Sequence, residues 1–179
     1  MKKNILAIIG SASKNSSNLK LVQRIADLTQ DDFDITIFDR LSSLPHFDPD
    51  LSVGDTPEII SDFRQLIQRS NGVIICTPEY IFSIPGSLKN AIEWCVATTV
   101  FSKKPARLIT ASASGEKGQE ELKLIMRTIE AIFTDDTTLL IKGIKGKITE
   151  GGNINDDKTS EQLMAFITAF KKLVKDNSQ

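Results

Sequence analysis

Six of the nine residues from 10 to 18 are serine or asparagine, in the order Gly10-Ser11-Ala12-Ser13-Lys14-Asn15-Ser16-Ser17-Asn18. The segment follows an apolar run at 5–9 and leads directly into a stretch of helical period. It offers hydroxyls, side-chain amides and backbone N–H groups beside a helix N-terminus. That end of a helix carries a partial positive charge, so a phosphate is well placed there with little help from formal cations. One or two such residues would be ordinary helix caps. Six in nine, at the end of a strand, predict an anion cradle, with Lys14 the only cation inside it.

Phosphate motifs of other kinds are missing. There is no G-x-x-x-x-G-K-[ST], as a P-loop nucleotidase requires, and no G-x-G-x-x-G for a dinucleotide. A response-regulator receiver would need acids after the first strand and an acceptor Asp after the third; Gly10-Ser11 and Cys76-Thr77 stand there. A tyrosine-phosphatase loop would need Arg six residues after the cysteine, where the chain has Phe82. No G-x-S-x-G nucleophile elbow is present.

Two more segments stand where a ligand could be reached. Thr77-Pro78-Glu79-Tyr80-Ile81-Phe82-Ser83-Ile84-Pro85-Gly86-Ser87 is stiffened by two prolines and brings aromatic groups to where a flat ring could lie. Its backbone N–H and C=O groups could meet the edge of a heterocycle. The competing reading is a proline-shaped connection whose aromatics pack into the core. Ser112-Ala113-Ser114-Gly115-Glu116-Lys117-Gly118 is a small, polar loop that could approach a ring closely.

The elements that must position these loops follow from periodicity. Apolar runs at 5–9, 35–38, 73–76, 106–111 and, more weakly, 138–141 are of strand length. Their continuous hydrophobicity predicts strands covered on both faces, as in a parallel sheet. Between them lie amphipathic helices with stripes at Leu21, Ile25 and Leu28; at Ile59, Phe63, Leu66 and Ile67; at Leu122, Ile125, Met126, Ile129 and Phe133; and at Leu163, Phe166, Ile167, Phe170 and Val174. A further helix carries Leu88, Ile92 and Trp94. Thr56-Pro57-Glu58 reads as a helix start, with Thr56 capping and Pro57 in the first helical position. The Gly-rich stretch 143–152 reads as a long loop before the last helix. The β-α alternation predicts a doubly wound α/β sheet with helices on both faces, in one domain over 1–179. In such sheets ligands bind beyond the carboxyl ends of the strands, where all three loops lie.

Composition narrows the function classes. With 179 residues, 40% hydrophobic and 25% charged, the chain can build a core without disulfide or metal staples. A net charge of −1 argues against strong attraction to nucleic acid or to an anionic membrane. Cys76 and Cys95 form no CxxC and His46 is the single histidine, so no metal site is expected. Both cysteines read as buried reduced thiols, and His46 as a surface or interface group. No apolar stretch has membrane-spanning length, and the run at 5–9 is too short for a secretory signal, so the expected location is the cytoplasm.

The first loop resembles the G-S-x-R-x-x-S-x-N motif of the NADPH-dependent FMN reductase family, which includes azo-, quinone and chromate reductases. Pro78-Glu79-Tyr80-Ile81-Phe82-Ser83-Ile84-Pro85-Gly86-Ser87-Leu88-Lys89-Asn90-Ala91-Ile92-Glu93-Trp94 resembles that family's P-E-Y-N-x-S-x-P-G-x-L-K-N-x-I-D-W. The segment 44–51 is similar to its loop after the second strand. The resemblance implies a flavodoxin-like five-stranded parallel sheet in the order 2-1-3-4-5.

It also implies FMN as cofactor, NADPH or NADH as co-substrate, and a small electron acceptor served by a ping-pong reaction. The acceptor would be a quinone, an azo compound, a free flavin or a metal oxyanion. Ser11, Ser13, Ser16, Ser17 and Asn18 would hold the cofactor phosphate. Pro78, Glu79, Tyr80 and Ile81 would line its ring, and Ser112, Ser114 and Gly115 would close the other side. No side chain is assigned as a catalytic acid or base, and Glu79 reads as a positioning group. A homodimer or homotetramer is implied, with sites near the dimer interface. The family's arginine is Ser13 here, and its asparagine after Tyr80 is Ile81. The alternatives are a flavodoxin-type electron carrier and a relative that has lost FMN.

Overall fold

The computed structural model of the chain describes residues 1–11, 13 and 15–177. The apolar runs become strands β1 (Lys3–Ile9), β2 (Phe33–Phe38), β3 (Gly72–Thr77), β4 (Ala106–Ser112) and β5 (Thr138–Lys142). They form one five-stranded sheet in the order β2-β1-β3-β4-β5. Every pairing is parallel, with Ile5 opposite Gly72, Val73 opposite Ala106 and Leu108 opposite Thr138. This is the doubly wound order expected from the sequence.

The consecutive isoleucines and valines serve two cores. Ile5, Ala7, Ile9, Ile74, Cys76, Ile109 and Ala111 face α1 (Ser17–Leu28) and α6 (Asp157–Asp176). Leu6, Ile8, Val73, Ile75, Ala106 and Leu108 face α3 (Glu58–Arg69), α4 (Gly86–Glu93) and α5 (Glu116–Thr128). Successive strand side chains point to opposite faces, so a strand buried on both sides must be apolar throughout. A short helix, α2 (Pro49–Val53), capped by the Asp48 carboxylate, interrupts the connection after β2.

The motif around α4 is structural. Asn90 Oδ1 accepts from Phe47 N–H at 2.7 Å, and its Nδ2 donates to the Pro45 carbonyl at 2.9 Å. Buried Trp94 donates its indole N–H to the same carbonyl at 2.8 Å and meets the Phe47 ring edge-on. These residues therefore pin the connection after β2 rather than touch a ligand.

Several local expectations are corrected. Thr56 does not cap α3; its hydroxyl donates back to the Leu51 carbonyl at 2.9 Å, and Pro57 takes the cap position. Ile60, not Ile59, completes the buried face of α3 with Phe63 and Ile67: it lies three and seven residues before them, while Ile59 is 39% exposed. Helix α5 stops at Thr128, so Ile129 caps it and Phe133 lies beyond it. The helix begins at Glu116, so the polar loop after β4 ends at Gly115 rather than Gly118.

One core residue is out of character. Arg107 on β4 is 1% exposed, with its guanidinium 3.4 Å from the Phe166 ring centroid and 5.1 Å from that of Phe170. Among the described residues none accepts a hydrogen bond from its three nitrogens, and burial pulls its pKa down from the usual arginine value. It sits near the start of β4, at the end of the sheet away from the loops discussed next.

Candidate active site

The loops after β1, β3, β4 and β5 meet in a cleft of about 570 Å³ beyond the carboxyl ends of the strands. Of the residues expected to bind cofactor, Ser11, Ser13, Ser16, Ser17, Asn18, Pro78, Glu79, Tyr80 and Ser112 line this cleft together. Ile81, Ser114 and Gly115 belong to the same loops but are not part of its lining. Lys14 and Ala12 lie outside the described residues.

At one end the wall is the start of α1. Ser16 is its N-cap and accepts from Asn18 N–H at 3.1 Å, leaving its own hydroxyl proton free to donate. Ser11 is buried and accepts from Ser13 N–H at 3.3 Å. Gly10 makes the turn possible. Its N–H donates to the Cys76 carbonyl at 2.8 Å, and a Cβ there would lie 2.6 Å from Thr77 Cβ.

Asn18 is a strut between elements. Its Nδ2 donates to the Ala111 carbonyl on β4 at 3.1 Å, and its Oδ1 accepts from the Cys76 thiol at 3.2 Å. Burial pushes the Cys76 pKa well up, so the thiol keeps the proton it donates. The phosphate-sized end of the cleft is thus tied to β3 and β4 through a side chain that the sequence placed at the surface of the cradle. One amide hydrogen of Asn18 remains for a bound anion.

The opposite end is shaped by backbone. Tyr80 and Ser83 exchange N–H···O=C bonds of 2.9 and 3.1 Å across a two-residue turn, with Ile81 at φ 51° and Phe82 at φ 59°. Both central residues are left-handed, as in a type I′ turn. Tyr80, Ile81 and Phe82 are 49%, 94% and 77% exposed at the mouth. Glu79 turns away from solvent and caps α5: Oε1 accepts from Gly115 N–H at 3.2 Å and Oε2 from Gly118 N–H at 2.8 Å. Its carboxylate thereby locks the loop after β3 to the loop after β4, and Ser112 Oγ donates to the Glu79 carbonyl at 3.4 Å.

Sequence reasoning missed one wall. Ala111 and the segment Gly143, Ile144, Lys145 and Gly146 also line the cleft, together with Asn15 and Ala113 from the loops the sequence had singled out. The stretch 143–152 is not a plain connection. Gly143, at φ 66°, opens a 3-10 turn over Ile144–Gly146, and its N–H donates to the Ser112 and Ala113 carbonyls. The signal was the pair Ile144 and Ile148, apolar residues inside a glycine-rich stretch, both buried against the α1–α6 core.

Hydroxyls and a helix N-terminus at one end, with a stiff backbone edge and Tyr80 at the other, suit a ligand that joins a phosphate to a flat heterocycle. The NADPH-dependent FMN reductase family matches residues 3–145. The chain belongs to the NADPH-dependent FMN reductase family. It is therefore an FMN-dependent NAD(P)H oxidoreductase.

Relatives within reach agree over nearly the whole length. A 2-hydroxy-1,4-benzoquinone reductase of a Burkholderia species is 29% identical over 182 residues, covering 98% of each chain. An NADPH:quinone oxidoreductase of Arabidopsis thaliana is 30% identical over 176 residues, covering 93% of this chain and 89% of that one. Among solved structures, the flavoenzyme NAD(P)H:acceptor oxidoreductase FerB from Paracoccus denitrificans superposes with a TM-score of 0.86 at 25% identity. It covers 99% of this chain and 100% of its own. Among the described residues no group of three or more His, Cys, Asp or Glu could hold a metal, and no helix is long and apolar enough to cross a membrane.

Proposed function

We propose that the chain is an FMN-dependent NAD(P)H:quinone oxidoreductase that works by a ping-pong cycle in this cleft of one domain spanning 1–179. The observation that carries this reading is the cleft itself, with a hydroxyl-rich helix start at one end and Tyr80 at the other, beside the exposed apolar turn residues Ile81 and Phe82. Bound FMN would take a hydride from NAD(P)H and deliver the reducing equivalents to the acceptor.

The protein's part is binding and orientation. Ser11, Ser16 and Ser17 direct hydroxyls, and α1 its N-terminus, at the phosphate. Pro78, Glu79 and Tyr80 would hold the ring by backbone groups, with Ser112 beside them, bonded to the Glu79 carbonyl. Among the described residues lining the cleft Glu79 is the one carboxylate, and both its oxygens are engaged by Gly115 and Gly118, so it is a clamp rather than a proton donor. An open mouth lets nicotinamide and acceptor use the same face in turn.

A quinone acceptor is favoured by the apolar mouth and by the quinone reductase relatives from Burkholderia and Arabidopsis. The exposed apolar turn at 80–83 also supports self-association to a dimer or tetramer near the site. Two buried free thiols fit a reducing cytoplasm.

The test is anaerobic. Purified protein loaded with FMN should lose its yellow absorbance on addition of NADPH or NADH and regain it on addition of one equivalent of benzoquinone. Flavin that neither nicotinamide bleaches would overturn the reading.

A further inference from the structure

The first loop is rich in hydroxyls and holds one cation in sequence, Lys14, which lies outside the described residues. A phosphomonoester carries about −1.5 to −2 near neutral pH, whereas a helix N-terminus supplies an effective charge of only about +0.5. Serine hydroxyls and one amide of Asn18 add hydrogen bonds but no compensating charge. With Lys14 as the one lysine inside the loop, a second cation elsewhere in the cleft would match the remaining charge.

Lys145 lines the cleft together with Ser11, Ser16 and Ser17. Its position is set by tertiary contacts rather than by sequence proximity. Ile144 and Ile148 anchor the segment in the core shared by α1 and α6. Gly143 N–H is held by the loop after β4. Farther along, Glu150 pairs with Lys20 of α1 at 2.9 Å, so the segment runs beside the first helix.

The lysines around Lys145 are already neutralised. Lys20 pairs with Glu150, Lys142 with Glu116 and Lys147 with Asp156. Among the described residues no carboxylate pairs with Lys145.

From this placement we infer that Lys145 is a phosphate-binding residue of the cleft, supplying positive charge from the loop after β5 to the cradle formed by the loop after β1. The inference rests on the FMN reading above and adds a specific contact to it. No sequence pattern announces such a residue, because it lies about 130 positions from the cradle it completes.

The discriminating experiment compares FMN with riboflavin, which lacks the phosphate, by fluorescence quenching on apoprotein. Lys145→Ala should weaken FMN binding by about five- to thirtyfold, the range of one charge-assisted contact. Riboflavin affinity should stay within about twofold, and the salt dependence of FMN binding should flatten. Lys145→Arg should restore most of the FMN affinity. Lys14→Ala serves as the comparator inside the first loop.

An FMN-to-riboflavin ratio that Lys145→Ala leaves unchanged would overturn the assignment, as would a ratio that responds to Lys14→Ala alone. A raised KM for NADPH but not NADH, with FMN affinity intact, would instead assign Lys145 to the dinucleotide's extra phosphate and also overturn it. Wild-type apoprotein that binds neither flavin would fail the FMN reading itself, a result distinct from either of these.

Discussion

The two ends of the cleft are built by different means. At the α1 end the polar side chains are short, and the buried ones are fixed by hydrogen bonds: Ser16 to the helix backbone, Asn18 to β3 and β4. At the Tyr80 end the wall is backbone, with its side chains exposed and its turn in left-handed conformations. The first arrangement fixes donors before a ligand arrives, which suits a group whose charge and shape never change. The second leaves a mouth whose lining can vary, which suits partners that must enter and leave. Two carboxylates tie this second end to α5: Glu79, through Gly115 and Gly118, and Glu121, which accepts from Ile84 N–H at 3.1 Å.

Cutting the Glu79 link should have the largest effect. Glu79→Ala removes two charge-assisted bonds at the N-terminus of α5 and leaves Gly115 and Gly118 N–H without their acceptor. We expect a loss of about 1.5–3 kcal/mol in denaturant unfolding. Riboflavin affinity should fall more than the FMN-to-riboflavin ratio changes, because the damage is at the ring end. An equal loss of stability with the ring end unaffected would mean that the two ends are not separable.

Gly10→Ala attacks the other end. The new methyl would lie 2.6 Å from Thr77 Cβ, an atom of a fully buried side chain that cannot swing aside. Overpacking of this kind costs about 1–3 kcal/mol. The FMN-to-riboflavin ratio should collapse here, since the cradle opens. A Gly10→Ala protein with wild-type melting behaviour and FMN selectivity would show that the α1 end is less rigid than its packing implies.

The smallest effect runs in the stabilising direction. A β-branched residue at φ 51° is strained, and asparagine visits that region far more readily. Ile81→Asn should raise stability by about 0.5–1 kcal/mol. FMN affinity should be unchanged because Ile81 is not part of the cleft lining, while turnover with quinones shifts. Weakened FMN binding would place the ring against this turn and erase the distinction between wall and mouth.

Cys76 and Cys95 illustrate how tertiary burial assigns a role that composition leaves blank. Burial drives both pKa values upward, Cys95 to about 12, so neither is a nucleophile at neutral pH. Cys76 instead donates its retained proton to Asn18.

The sequence by itself determined the sheet, because two-sided burial demands uninterrupted apolar strands and the runs at 5–9, 73–76 and 106–111 supply them. It also marked the loop after β1 as an anion cradle, because hydroxyls and amides crowded against a helix start are a local signal. Where the helix start was capped from far away, the sequence was silent. Gly115 gives α5 no cap of its own, and only folding brings Glu79 to it. The same holds for the strut at Asn18 and for the wall at 143–146. Their partners are distant in the chain, so no spacing rule could join them. Periodicity records which face of an element is buried; which loops then touch, and which lysine is left unpaired beside a cradle, is decided by the packed molecule.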